Sequence, residues 1–278
     1  MKIHTHHDVA NTGTIEQVRY DTAGADGTVF HKCANVYVPY GYDTANRYNV
    51  LYLIHGGGGD ENAWLKECDI QNALDCLIEE GLAAPFLVVF PCFYRERTPR
   101  GGPMDESAER GAVLGFQREL RQDLIPLIDG KYSTISSREG RAIGGFSMGG
   151  VTTWFAFLEN LDLISTFMPL SGDCWYYGGL GGGKYTEETA QYLYETTKAG
   201  PFGKDDFRIF AGTGSKDIAY PNLTPQVEAM KKYTDLFEFS DDPEEGNFHY
   251  VVTDGAEHTY PAVCQHVYNF APYLVKLT

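Results

Sequence analysis

Short apolar runs alternate with longer stretches of helical periodicity along most of the chain. Seven runs have strand length and a β-branched or aromatic character: CANVYVP, NVLYLI, FLVVF, RAIGG, TFMPL, FRIFA and FHYVV. Six stretches repeat apolar residues at three- and four-residue spacing and predict helices over 69–80, 116–128, 150–158, 187–198, 225–237 and 261–275. Strands that alternate with helices form βα units and a largely parallel sheet. Extended segments at 14–20 and 30–38 precede the first helix, where an antiparallel edge is expected. The pattern predicts an α/β protein: a doubly wound, mostly parallel sheet with helices on both faces.

Nothing in the 278 residues divides this pattern, so 1–278 reads as one domain. Pro, Gly and Ser fall in short clusters between apolar runs, no segment repeats at a fixed period, and the low-complexity pieces are HGGGG and GGLGGG. The longest apolar runs are far shorter than a membrane span. A net charge of −16 repels phosphate backbones and anionic lipid surfaces, which disfavours nucleic acid and membrane as partners and suits a neutral substrate. Six cysteines without a Cys-x-x-Cys pair read mainly as buried thiols. The opening MKIHTHHDVA lacks the apolar stretch of a secretion signal. The compartment therefore stays open: extracellular if a signal or further module precedes this segment, cytoplasmic otherwise. His4, His6 and His7 have no acidic or thiol partner at fixed spacing and are expected on a disordered, exposed terminus, with no metal and no cofactor required.

The stretch GGFSMGG follows the strand run RAIGG and places Ser147 between a strand and a helix. In Gly-x-Ser-x-Gly the chain turns sharply there, and glycines at 145 and 149 leave room for the turn while the hydroxyl is exposed at its apex. Ligands of open α/β sheets bind at that end of the strands. A serine hydroxyl needs a base, and the base needs a carboxylate to fix its tautomer. Asp217 lies in the loop GTGSKDIAY after FRIFA, and His258 in TDGAEHTYP after FHYVV. Serine, acid, histidine is the chain order of the α/β-hydrolase arrangement. Asp173, in SGDCW after TFMPL, is the alternative acid, and Asp254 is too close to His258 in sequence to be preferred. His249, inside a strand, and His266, on the closing helix, read as structural. The loop LIHGGGGDENAW after the strand run NVLYL offers the Gly57 backbone N–H to an oxyanion, and the Met148 N–H offers a second, with His55 orienting the loop.

These residues resemble the esterase D-type α/β-hydrolases, and most closely the carbohydrate esterase family 1 feruloyl and acetyl xylan esterases. The resemblance runs through NVLYLIHGGGGDENAW, LIPLIDGKYS, REGRAIGGFSMGG, AGTGSKD and DGAEHTY, and its most specific part is the spacing of those blocks. It implies a cofactor-free serine esterase of a single α/β-hydrolase domain, with Ser147 as nucleophile, Asp217 as acid and His258 as base. The expected substrate is a feruloylated or acetylated polysaccharide or oligosaccharide. Acetyl xylan esterase and an S-formylglutathione hydrolase-like thioesterase are the alternatives, and a sugar-binding module without catalysis is the third class. The segment SGDCWYYGGLGGGKYTEETA departs from many relatives. Trp175 in it is expected to contact substrate from a mobile lid, whereas Trp64 and Trp154 read as core.

Overall fold

The computed structural model describes residues 2–24, 26–96 and 105–274. Among these, eight strands form one sheet: β1 (Thr14–Ala23), β2 (Val29–Val38), β3 (Val50–Ile54), β4 (Leu87–Pro91), β5 (Arg141–Phe146), β6 (Thr166–Leu170), β7 (Arg208–Gly214) and β8 (Phe248–Thr253). Their order across the sheet is β1-β2-β4-β3-β5-β6-β7-β8. β2 pairs antiparallel with β1 and with β4, and all other pairings are parallel. The expected antiparallel edge is therefore β1–β2.

The helices are α1 (Ala63–Glu67), α2 (Ile70–Glu79), α3 (Glu106–Glu119), α4 (Ile125–Lys131), α5 (Met148–Glu159), α6 (Gly181–Lys184), α7 (Thr186–Ala199), α8 (Tyr220–Met230) and α9 (Tyr260–Leu274). A π-helical turn, Leu120–Leu124, joins α3 to α4. The central strands β3 and β4 are apolar and buried at every position because both faces are covered. In β3, Val50, Tyr52 and Ile54 point into the core under α3, α5, α7 and α8, while Leu51 and Leu53 point into the core under α1, α2 and α9. Each such fully buried side chain contributes about 1.5–3 kcal/mol of transfer free energy.

Three expectations shift. The helix expected at 116 begins at Glu106, because the Asp105 carboxylate accepts from the Ser107 and Ala108 N–H groups and starts the helix ten residues before its apolar face becomes continuous. The helix expected over 225–237 is Tyr220–Met230, with Pro221 in its first turn and Pro225 inside it. The closing helix is described to Leu274, and residue 275 of the expected range lies outside the described residues. No described helix is long and apolar enough to cross a membrane.

Of the N-terminal histidines, His6 and His7 are exposed as expected, and His4 departs from expectation. Far from lying on a loose terminus, His4 is buried and stacked on Tyr268 of α9, and the segment around it is bonded to Gln265 and Asn269 of that helix. The cysteines are free thiols, four buried and two half-buried, as read from the sequence.

Candidate active site

β5 ends at Phe146 and α5 begins at Met148, so Ser147 alone makes the turn between them. Its backbone lies at φ 57°, ψ −115°, a conformation that side chains rarely adopt. The turn is held from both sides: the Ser147 N–H donates to Leu170 O at 2.9 Å, and Ser147 O accepts from the Val151 N–H at 3.0 Å. The flanking glycines are steric necessities. A Cβ on Gly149 would meet Ile54 O at 2.4 Å, and one on Gly145 would meet the Gly149 backbone at 2.7 Å.

The loops after β7 and β8 bring Asp217 and His258 to this turn. The carboxylate can only accept, so His258 Nδ1 carries the proton and donates to Asp217 Oδ1 at 2.6 Å. That leaves Nε2 as an acceptor, and the Ser147 hydroxyl donates to it at 2.9 Å. Burial on its own would raise the Asp217 carboxyl. Hydrogen bonds from His258 and from the Ala219 amide outweigh it and hold the group below the usual carboxylate range. Asp217 is 4% exposed and ionised, the condition under which a carboxylate fixes a histidine tautomer. The arrangement can remove the proton from Ser147 Oγ and return it to a leaving group.

Asp173 is engaged elsewhere. Its Oδ2 accepts from the Gly182 N–H at 2.8 Å and its Oδ1 from Trp175 Nε1 at 3.2 Å, and burial raises its carboxyl. It ties down the strap between β6 and α7 and makes no bond to His258. His249 stacks on Phe210, and His266 is buried beside Thr253 with its imidazole pushed down to about 4 by burial, so neither approaches Ser147.

The candidate oxyanion donors lie where the sequence reading put them. Met148 opens α5, so its N–H has no intrahelical acceptor. In the loop after β3 the Gly56 N–H donates to Tyr260 Oη and the Gly58 N–H to Tyr94 Oη, both at 2.9 Å. The Gly57 N–H between them has no partner among the described residues. His55 anchors the loop: Nδ1 donates to Gly56 O at 2.7 Å, the Cys92 thiol lies 3.2 Å from Nε2, and the ring stacks on Phe93. Tyr94 and Tyr260 escaped the sequence reading. Their only signal is position, Tyr94 in the loop just past β4 and Tyr260 at the first position of α9.

A cavity of about 200 Å³ opens beside Ser147, and Gly57, Met148, Trp175, Leu180, Ile218 and His258 are among its lining residues. Trp175 therefore reaches the site as expected, but as a 4%-exposed wall with its indole N–H bound to Asp173, not as the overhanging tip of a lid. Trp64 and Trp154 are core: their indoles donate to Ile54 O and Gly172 O.

The "Putative esterase" family model matches residues 32–250. Over 267 residues, 92% of its length, the chain is 38% identical to Endo-1,4-beta-xylanase Y of Acetivibrio thermocellus and covers 23% of that protein. It is 32% identical over 226 residues, 80% of its length, to Endo-1,4-beta-xylanase/feruloyl esterase of Xylanibacter ruminicola, of which it covers 27%. The chain thus spans about a quarter of the length of these curated relatives. A solved structure of a mutant feruloyl esterase module from Clostridium thermocellum, complexed with sinapinate, matches with a TM-score of 0.79 at 38% identity, covering 94% of this chain and 88% of that one. The sheet order and that likeness make the fold an α/β-hydrolase. With the family model spanning most of its length, the chain belongs to this esterase family.

Proposed function

We propose that this chain, read over 1–278 as one esterase domain, is a serine carboxylesterase that removes feruloyl and related hydroxycinnamoyl groups from plant cell-wall polysaccharide. The observation that carries the reading is the hydrogen-bonded line from Ser147 through His258 to Asp217, opening onto a cavity walled by Trp175, Leu180, Ile218 and Met148. A flat, uncharged phenylpropenoyl group fits apolar and aromatic walls of this kind. A relative whose name joins xylanase to feruloyl esterase, and a similar module that binds sinapinate, support the same substrate class.

In this mechanism His258 Nε2 accepts the Ser147 proton as Oγ forms a bond to the ester carbonyl carbon. The carbonyl oxygen takes up the negative charge and is met by the Gly57 and Met148 N–H groups. Collapse breaks the bond to the sugar oxygen, which leaves with the proton from His258. Water then attacks the acyl-serine, its proton passing to His258 and on to Ser147 Oγ, and the free hydroxycinnamate departs. Asp217 holds the Nδ1 proton in place throughout and stabilises the imidazolium.

The test is a substrate panel of methyl ferulate, methyl sinapate, p-nitrophenyl acetate, acetylated xylan and S-formylglutathione. The hydroxycinnamates should exceed the others in kcat/KM by roughly 10-fold or more. Preference for acetylated xylan would make the chain an acetyl esterase, and preference for S-formylglutathione a thioesterase.

A further inference from the structure

A second cluster of chemically active side chains lies where the N-terminal segment crosses α2 and α9. One ring nitrogen each of His4 and His7 and the Sγ of Cys76 lie within 4.8 Å of one another. His4 is 7% exposed, and neither of its ring nitrogens has a hydrogen-bond partner among the described residues. A buried imidazole with two unmet nitrogens is costly unless something else uses a lone pair.

The surrounding contacts have the form of a metal's supporting shell. His7 Nδ1 lies 3.7 Å from Cys76 Sγ, while its Nε2 lies 3.4 Å from Glu80 Oε1. With Nδ1 on a metal, Nε2–H donates to Glu80, the carboxylate–histidine pairing that orients metal-bound imidazoles. Glu80 Oε2 also accepts from Tyr268 Oη at 3.1 Å, and Tyr268 stacks on the His4 ring at 4.9 Å, so one carboxylate organises both histidines. The backbone is already positioned: Asn72 Nδ2 donates to His7 O at 2.8 Å, and Gln265 Oε1 accepts from the His4 N–H at 2.7 Å. We propose that His4, His7 and Cys76 form a structural site for a borderline-soft divalent cation of the zinc class, which clips the N-terminal segment onto α2.

Two nitrogens and one sulfur suit such a cation, whose bonds of about 2.0–2.3 Å require the three ligand atoms to close in by roughly 1 Å. The exposed His7 side chain supplies that movement by giving up its contact with Thr5 O. A fourth position is left to water. Binding forms the metal–sulfur bond as the thiol proton leaves to solvent. Affinity should therefore fall as pH falls.

Co(II) and Zn(II) titrations of the full chain test the site. One equivalent of Co(II) should give a thiolate-to-metal charge-transfer band and tetrahedral d–d bands, and saturating Zn(II) should raise Tm by more than about 3 °C. The charge-transfer band should vanish in Cys76→Ala, and His7→Ala, which alters an exposed side chain and leaves the fold intact, should weaken Zn(II) binding by about 10-fold or more. His4→Ala should abolish the tetrahedral bands. Absence of a thiolate band in the wild-type protein, or Zn(II) affinity unchanged in His7→Ala and His4→Ala, would overturn the proposal and leave only surface binding such as the His6–Asp69 pair offers.

Discussion

Asp217 and Asp173 are both buried carboxylates at strand ends near Ser147, and their partners separate them. Asp217 meets His258 Nδ1, whereas Asp173 meets a backbone amide and an indole. Asp217→Asn should lower kcat by about 10⁴ through loss of the correct tautomer. Asp173→Asn should leave kcat for p-nitrophenyl acetate within about 10-fold, because it loosens a wall of the cavity and does not touch the proton path. Steady-state kinetics of the two variants on methyl ferulate and p-nitrophenyl acetate decide it, and the reverse ranking would move the acid to the strap after β6. The Ser147, Asp217 and His258 positions were legible because each follows an apolar run and the chain order of the three is informative. The Tyr hydroxyls that hold the glycine loop were not. Tyr260 reaches Gly56 across 204 residues, and no local pattern encodes a contact that only the closed sheet creates.

At the level of elements, β2 and α3 are joined through a buried ion pair. Lys32 Nζ donates to both Glu119 oxygens at 2.6 and 2.7 Å and to Cys92 O, and Tyr20 Oη donates to the same carboxylate at 2.6 Å. Burial raises the Glu119 carboxyl even though Lys32 opposes it, so the charge depends on its partners. Lys32→Met should cost about 3–5 kcal/mol in denaturant unfolding by leaving that carboxylate unpaired, while Lys32→Met with Glu119→Leu should recover most of the loss. A single variant as stable as the wild type would show that the pair is dispensable. The pair falls at the junction of α3 with the π turn, a region that sequence periodicity renders only in part. Glu106 to Gly115 is polar and glycine-containing, so its helix is visible only from the Asp105 cap and the packing of Val113 and Phe116. Strongly periodic stretches such as α2, α5 and α7 differ from expectation by no more than two residues at either end.

For the whole molecule, the fold class was legible because largely apolar strands alternating with amphipathic helices admit few architectures, and β3 divides its side chains between the two cores accordingly. The docking of the N-terminal segment through the buried His4 was not legible, since its anchors on α2 and α9 are distant in sequence. Packing at this scale also sets a pH dependence. Burial lowers the His266 pKa from 6.5 to about 4, with the Asp217 charge and the Thr213 backbone opposing it only in part. The unfolded chain takes up a proton near 6.5 and the folded protein does not until about pH 4, so stability should fall as pH falls through that window, by about 3 kcal/mol. His266→Gln should shrink the difference in unfolding free energy between pH 7 and pH 4.5 by about 2 kcal/mol; an unchanged difference would mean that the histidine is charged in the fold. The central claim, that the whole architecture serves to activate one hydroxyl at the end of β5, is tested most directly by the turnover of methyl ferulate in Ser147→Ala, with its fold verified by circular dichroism. The account predicts a fall in kcat of about 10⁶, and activity within 10-fold of the wild-type protein would contradict it.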